Sequence, residues 1–271
     1  MLEPIVSSKW LQKHLNNTDL IILDASQKKN KFGLSTNFED LQIKGARHFD
    51  IKNNFSDLES KFPNTLPSAK KFEKACQKLG INKSSKIVVY DNLGVYTSPR
   101  VWWMFKTMRH HNIAVLDGGL PDWIKNGFQT EKITQSKPKI GNFKANFNTK
   151  NIKYFADIQK NIISEDALVI DARASKRFLG LVEEPRKELR SGHITKSINL
   201  PFQEVLENGK FKSKNKLTKL FTNIVVDTKP LIFTCGSGIT ACIILLASEL
   251  VLENKKTVYD GSWTEYAQLE K

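Results

Sequence analysis

The chain has 271 residues, long for one compact domain and comfortable for two of ordinary size, each with its own core. Apolar residues make up 40%, yet no run approaches the roughly 18 consecutive apolar positions of a membrane helix, which excludes a helical spanning protein. Three cysteines with no His at metal-site spacing exclude a disulfide framework and a zinc finger. A net charge of +14 raises a nucleic-acid partner, but the lysines are scattered among polar residues, as in Lys210-Phe211-Lys212-Ser213-Lys214-Asn215-Lys216, and argue for a solvated surface instead.

In chain order, Met1-Leu2-Glu3-Pro4 carries no leader pattern, and Ser7-Ser8-Lys9-Trp10-Leu11 opens an amphipathic helix, so a cytoplasmic protein is expected. Ile21-Ile22-Leu23-Asp24-Ala25 reads as a buried strand, Ser68 to Leu79 as a helix stopped by Gly80, and Ile87-Val88-Val89-Tyr90-Asp91 as a second strand. Val115-Leu116-Asp117-Gly118 follows as a third. Residues 130 to 150 are polar and rich in Lys and Asn, the composition of a linker. Beyond them the pattern returns. Leu168-Val169-Ile170-Asp171-Ala172 echoes the first strand with 147 residues between the aspartates, Leu231-Ile232-Phe233-Thr234-Cys235 echoes the second at 144, and Val258-Tyr259-Asp260-Gly261 the third at 143. Three echoes in one order at nearly one offset indicate a duplication. Strands alternating with helical stretches predict an α/β fold with two tandem units, each a mainly parallel sheet flanked by helices. The expected boundaries are 1–135 for the first domain, 136–150 for the linker and 151–271 for the second.

The chemistry concentrates where the strand ending at Thr234 runs into Cys235-Gly236-Ser237-Gly238-Ile239-Thr240-Ala241 and then the apolar helical run Cys242 to Leu250. A ligand site in an open α/β sheet lies at this carboxyl edge. Two glycines let successive N–H groups turn inward, and the helix dipole adds to their field, so the loop predicts a lowered Cys235 pKa and a nucleophilic thiolate. Gly236 to Ala241 also fits a dinucleotide fingerprint, but only 30 residues follow, too few for the rest of such a domain. A cysteine phosphatase needs Arg where Ala241 stands. In the first unit Asp91 occupies the Cys235 position, and Asn92-Leu93-Gly94-Val95-Tyr96-Thr97-Ser98-Pro99-Arg100 puts bulky residues where glycines would be. That loop is expected to form neither the same cradle nor a thiolate, leaving one active site per chain. Cys76, at helical spacing from Phe72 and Leu79, and Cys242, in an apolar helix, read as core.

The loop Cys235 to Ala241 resembles that of the 3-mercaptopyruvate sulfurtransferases in the two-domain rhodanese superfamily. So do Ser98-Pro99-Arg100-Val101-Trp102-Trp103-Met104, Gly118-Gly119-Leu120-Pro121-Asp122-Trp123, Gly192-His193-Ile194 and Tyr259-Asp260-Gly261-Ser262-Trp263. The resemblance implies that Cys235 takes sulfur from 3-mercaptopyruvate as a persulfide and releases pyruvate. The loop N–H groups from Gly236 through Ser237, Gly238, Ile239 and Thr240 to Ala241 would stabilise the anionic sulfur, with Ser237 polarising or contacting substrate. It further implies Arg177 and Arg186 as the groups that hold the small anionic substrate, cyanide, a small thiol or a thioredoxin as acceptor, and no metal or organic cofactor. Thiosulfate as donor, or a non-catalytic sulfur carrier on the same fold, are the alternatives; the neutral Gly236-Ser237 pair argues against the first. A monomer is expected. One departure stands out: the family's first-domain His, in a Gly-His-Ile-Pro-Gly-Ala-like segment, aligns with Gln42, which cannot take a proton at neutral pH. His48, six residues on, reads as structural or exposed.

Overall fold

The computed structural model describes residues 1–27, 38–134 and 137–270. The expected boundary at residues 135 and 136 lies outside the described residues. The chain divides into two compact units. The first is Met1–Ser56, Leu66–Phe147 and Asn208–Phe211; the second is Asp57–Thr65, Asn148–Glu207 and Lys212–Lys271.

In the first unit the strands are β1 (Ile5–Val6), β2 (Leu20–Asp24), β3 (Leu41–Ile43), β4 (Arg47–His48), β5 (Lys86–Tyr90), β6 (Ile113–Leu116) and β7 (Thr130–Lys132). The helices are α1 (Ser8–His14), α2 (Ala69–Lys78), α3 (Ser98–Thr107) and α4 (Gly119–Lys125). Five strands form a wholly parallel sheet in the order β1-β6-β5-β2-β4, and β3 pairs antiparallel with β7. Continuous β-branched runs such as Ile87-Val88-Val89 make central strands because both faces of a parallel sheet are covered.

The second unit holds β8 (Ile152–Lys153), α5 (Phe155–Ser164), β9 (Leu168–Asp171), α6 (Ser175–Phe178), β10 (Ser197–Asn199) and the short strand β11 (Leu206–Glu207), whereas β12 (Lys210–Phe211), next in the chain, belongs to the first unit. The second unit continues with α7 (Lys214–Thr222), β13 (Leu231–Thr234), α8 (Ala241–Glu249), β14 (Lys256–Tyr259) and α9 (Ser262–Leu269). Its parallel sheet runs β8-β14-β13-β9-β10, the order of the first unit strand for strand. The register agrees as well: Asp24 lies opposite Tyr90, and Asp171 opposite Thr234. The sequence echoes are therefore equivalent strands, and two tandem parallel-sheet units are present as expected.

Helix ends follow local chemistry. Ser68 caps α2 by accepting the Lys71 N–H, Leu79 returns its own N–H to Ala75, and Gly80 takes the left-handed φ of +69°. The helix after each central strand, α3 or α8, is buried almost all round. Cys76 and Cys242 are fully buried in α2 and α8. Among the described residues no helix is long and apolar enough to cross a membrane.

Residues 137–147, within the stretch read as linker, pack along the first unit. The Gly141 N–H donates to Gln77 O (2.9 Å) and the Phe143 N–H to Ile81 O (3.0 Å). Phe143 is fully buried against Phe72 (ring centroids 5.9 Å) and Phe105 (5.7 Å). A Cβ at Gly141 would overlap the Ile81 carbonyl, so only glycine permits this approach. The polar composition describes the strip's outer side, while one aromatic anchor and the paired backbone hold its inner side.

Candidate active site

Cys235 follows the last residue of β13, at the carboxyl edge of the sheet, and is 2% exposed. The turn that opens α9 clamps it. The Cys235 N–H donates to Ser262 Oγ (3.4 Å), the Trp263 N–H donates to Cys235 O (2.9 Å), and Gly236 O accepts both the Thr264 N–H (3.0 Å) and the Thr264 hydroxyl (2.6 Å). Ser262 takes a left-handed φ of +52° to make this turn. Gly238 has φ +79°, and its carbonyl accepts from Cys242 Sγ at 3.4 Å. Thr240 stands at the N-cap position of α8 without a side-chain cap bond, and the loop Gly236-Ser237-Gly238-Ile239-Thr240 leads from the cysteine into a helix N-terminus at Ala241.

Both arginines come to this loop. Arg177, in α6, lies over Gly236: a Cβ there would sit 3.2 Å from Arg177 Nη2, so the missing side chain admits the guanidinium. Arg177 donates to Glu184 through Nη2 (2.5 Å) and Nε (3.2 Å). Glu184, buried, also accepts from Arg173 Nη1 (2.9 Å). Arg173 is itself fixed by both carboxylate oxygens of Asp171, by Gly192 O (2.8 Å) and by the Trp263 ring beneath it (4.6 Å). Arg186 donates from Nη1 to Thr264 Oγ1 (3.0 Å), the hydroxyl that caps Gly236 O, and no carboxylate lies within ion-pairing distance of it among the described residues. Burial is the largest influence on the Arg186 guanidinium and lowers its pKa; Glu188, Arg177, Cys235 and Glu184 act on it through their charges. It stays cationic at any working pH.

Ser237 is half-buried, and its Oγ accepts a hydrogen bond from Asn64 Nδ2 at 3.0 Å. Asn64 belongs to the excursion Asp57–Thr65 that packs within the second unit. Gln42 does not stand in that place. In β3 it lies opposite Glu131 of β7, and its amide donates to Glu131 Oε1 (2.7 Å), so the register of that pair commits it. Asn64, Thr264, Arg173 and Glu184 were not singled out as site residues by pattern. Thr264 had a signal as the neighbour of Tyr259-Asp260-Gly261-Ser262-Trp263, and Arg173 and Glu184 had one in the family-like segments Asp171 to Phe178 and Glu184-Pro185-Arg186; Asn64 had none. His48 is exposed at the edge strand β4, and His193 stacks on Phe178 (4.1 Å between ring centroids).

The duplicate loop is filled from within: Asp91 Oδ2 accepts the N–H groups of Tyr96 (2.9 Å), Thr97 (3.0 Å) and Ser98 (2.9 Å) and the Ser98 hydroxyl (2.7 Å). Oδ1 accepts the Leu93 N–H at 3.0 Å. Backbone N–H groups and one hydroxyl surround the carboxylate. That carboxylate replaces the cysteine.

A profile described as a rhodanese-like domain matches residues 7–126 and again 155–269. The chain belongs to the rhodanese-like family. It is 37% identical over 272 residues to the human 3-mercaptopyruvate sulfurtransferase, covering 97% of this chain and 91% of that protein. It is equally 37% identical over 272 residues to the rat thiosulfate sulfurtransferase, with the same coverage. Among solved structures, SseA from Escherichia coli, whose rhodanese fold and 3-mercaptopyruvate chemistry have been described together, superposes with a TM-score of 0.84. That pair is 33% identical and covers 97% of this chain and 99% of SseA. The rhodanese-like units here are thus the two parallel sheets, one carrying Asp91 and the other Cys235 at the same strand end.

Proposed function

We propose that this rhodanese-like chain transfers sulfur from 3-mercaptopyruvate to cyanide or a thiol through a persulfide on Cys235. The observation that carries the reading is the convergence of Arg177 and Arg186 on the Gly236 end of the loop that begins with a buried cysteine. The Cys235 thiolate attacks the substrate sulfur, forming the S–S bond. The carbon–sulfur bond breaks, and its electron pair leaves with the methylene carbon as the enolate of pyruvate, which water protonates. The arginines hold the substrate carboxylate and keto oxygen by charge-assisted hydrogen bonds. Backbone N–H groups from Gly236 to Ala241 stabilise the anionic outer sulfur as an oxyanion hole stabilises oxygen, and Ser237 contacts the reacting group. Cyanide carbon or an acceptor thiolate, a thioredoxin included, then attacks that sulfur and returns Cys235 to thiolate.

In this reading catalysis belongs to residues 151–271 with the Asp57–Thr65 excursion. Residues 1–135 form a non-catalytic rhodanese-like support, 136–150 join the two, and one chain suffices as a monomer. A cytoplasmic location is supported by three cysteines that are buried and unbonded to one another. Thiosulfate remains the second donor to test because its sulfurtransferases are as similar in sequence.

The test is a side-by-side steady-state assay of the two donors with cyanide, on the wild type and on Cys235→Ser. The expected result is a kcat/KM at least tenfold higher for 3-mercaptopyruvate, about 1.4 kcal/mol of transition-state preference, and no turnover by a Cys235→Ser protein whose melting temperature is unchanged. Turnover by that variant would remove Cys235 from the mechanism, and a thiosulfate preference would reassign the donor.

A further inference from the structure

The contact between Asn64 and Ser237 has a defined polarity. Asn64 Nδ2 faces two oxygens, Ser237 Oγ at 3.0 Å and Ser237 O at 3.5 Å. A carbonyl oxygen only accepts, so the amide presents its NH2 side to Ser237. Oγ is then an acceptor toward Asn64, and no other partner holds its hydroxyl hydrogen among the described residues. That hydrogen is free to be donated to a group bound at the loop. The holding segment is ordered by local bonds: the Asp57 N–H donates to Thr65 O (2.9 Å), and the Thr65 hydroxyl to Phe62 O (3.2 Å). Asn64 itself sits at φ +64°, a left-handed conformation that Asn, Asp and His adopt more readily than other side chains.

We propose that Asn64 is a positioning residue that fixes Ser237 as a hydrogen-bond donor to the reacting substrate, through a partner that neither gains nor loses a proton in the working pH range. The inference rests on the sulfurtransferase reading of the Cys235 loop. An Asp in its place accepts only, so it draws the Ser237 hydroxyl hydrogen to itself and away from the substrate. A His in its place brings an ionisation near its ordinary value of about 6.5. Both replacements are compatible with the left-handed backbone.

The experiment measures pyruvate release from 3-mercaptopyruvate by the full chain as wild type, Asn64→Asp, Asn64→His, Ser237→Ala and the double variant Asn64→Asp with Ser237→Ala. The expected results are a drop of tenfold or more in kcat for Asn64→Asp, with a smaller change in KM, and no further drop when Asn64→Asp is added to Ser237→Ala. The kcat/KM profile of Asn64→His is expected to gain an ionisation between pH 6 and 7 that the wild type lacks. An Asn64→Asp variant as active as wild type overturns the proposal. So does an equal loss in the Ser237→Ala background, which would mean that the new charge acts on the persulfide directly, and so does an Asn64→His profile parallel to wild type. Absence of pyruvate release by the wild type would instead overturn the function of the loop and is read from the same assay.

Discussion

Two arginines reach the Cys235 loop, but they are not alike. The charge of Arg177 is met by Glu184, which is buried and shared with Arg173, whereas Arg186 has a hydroxyl partner in Thr264 and no carboxylate within ion-pairing distance among the described residues. A cation already paired offers less to an incoming anion than one whose partner is neutral, so under the proposed function Arg186 would be the principal binder of the substrate carboxylate, while Arg177 lies over Gly236. Hydrogen bonds to charged groups contribute about 1.5–3 kcal/mol. Arg186→Ala is therefore expected to raise KM for 3-mercaptopyruvate by about tenfold to a hundredfold, and more than Arg177→Ala does, in initial-rate measurements. Equal KM values for Arg186→Ala and wild type would place the carboxylate elsewhere. The structure brings to one loop the cysteine, expected from its strand-loop-helix setting, and the two arginines that the family resemblance implied. Asn64 was not legible in sequence, since it lies 173 positions from Ser237 and only tertiary packing brings its turn to the loop.

At the level of elements, the duplicated strands β2 and β9 both end in a buried aspartate whose surroundings have diverged. Asp171 is followed two residues on by Arg173, which pairs with it through Nη2 at 2.7 Å with both side chains fully buried. Asp24 has Ser26 at that place, and burial pushes its carboxyl pKa above the ordinary 3.8 against the hydrogen bonds from Ser26 and Tyr90. A carboxyl whose pKa is raised by folding binds its proton more tightly in the native state. Its burden on stability is absent below pH 3.8 and grows as pH rises through the folded value. Asp24→Asn should accordingly raise the melting temperature at pH 7 and lose that advantage in acid below the unfolded value. Asp171→Asn strands part of a buried guanidinium charge and should cost about 3 kcal/mol, a fall in melting temperature on the order of 10 °C. Thermal melts of the two variants at pH 7 check both signs; a destabilised Asp24→Asn would mean that its carboxylate is held by a charge that offsets burial. The Asp-Ala-Arg and Asp-Ala-Ser patterns could be read in sequence, but which aspartate had a buried partner depended on the fold of Glu184 and Gly192 around Arg173.

Across the whole molecule, the duplication was the most legible feature, because strand order and register in both sheets follow the three echoes. Composition described two stretches only in part. Polar content marked residues 130 to 150 as linker, and within them backbone pairing and the buried Phe143 fasten 137–147 to the first unit. Bulky residues set the first loop apart from the Cys235 loop, and its N–H groups close on Asp91. In both cases the backbone makes the decisive bonds, and side-chain composition reports on them only indirectly. The pair of loops gives the molecule its logic: one unit keeps a covalently attached carboxylate at its strand end, and the other has a cysteine there, which under the proposed function would acquire an anionic sulfur and release it.

That logic is tested most directly by a single-turnover experiment: 3-mercaptopyruvate is added without acceptor, thiols are blocked, and peptides are mapped by mass while pyruvate is quantified. The expected outcome is one sulfur atom added to the peptide containing Cys235, none on Cys76 or Cys242, and one pyruvate released per chain. Pyruvate released without sulfur on Cys235, or sulfur carried on another cysteine, would contradict the account.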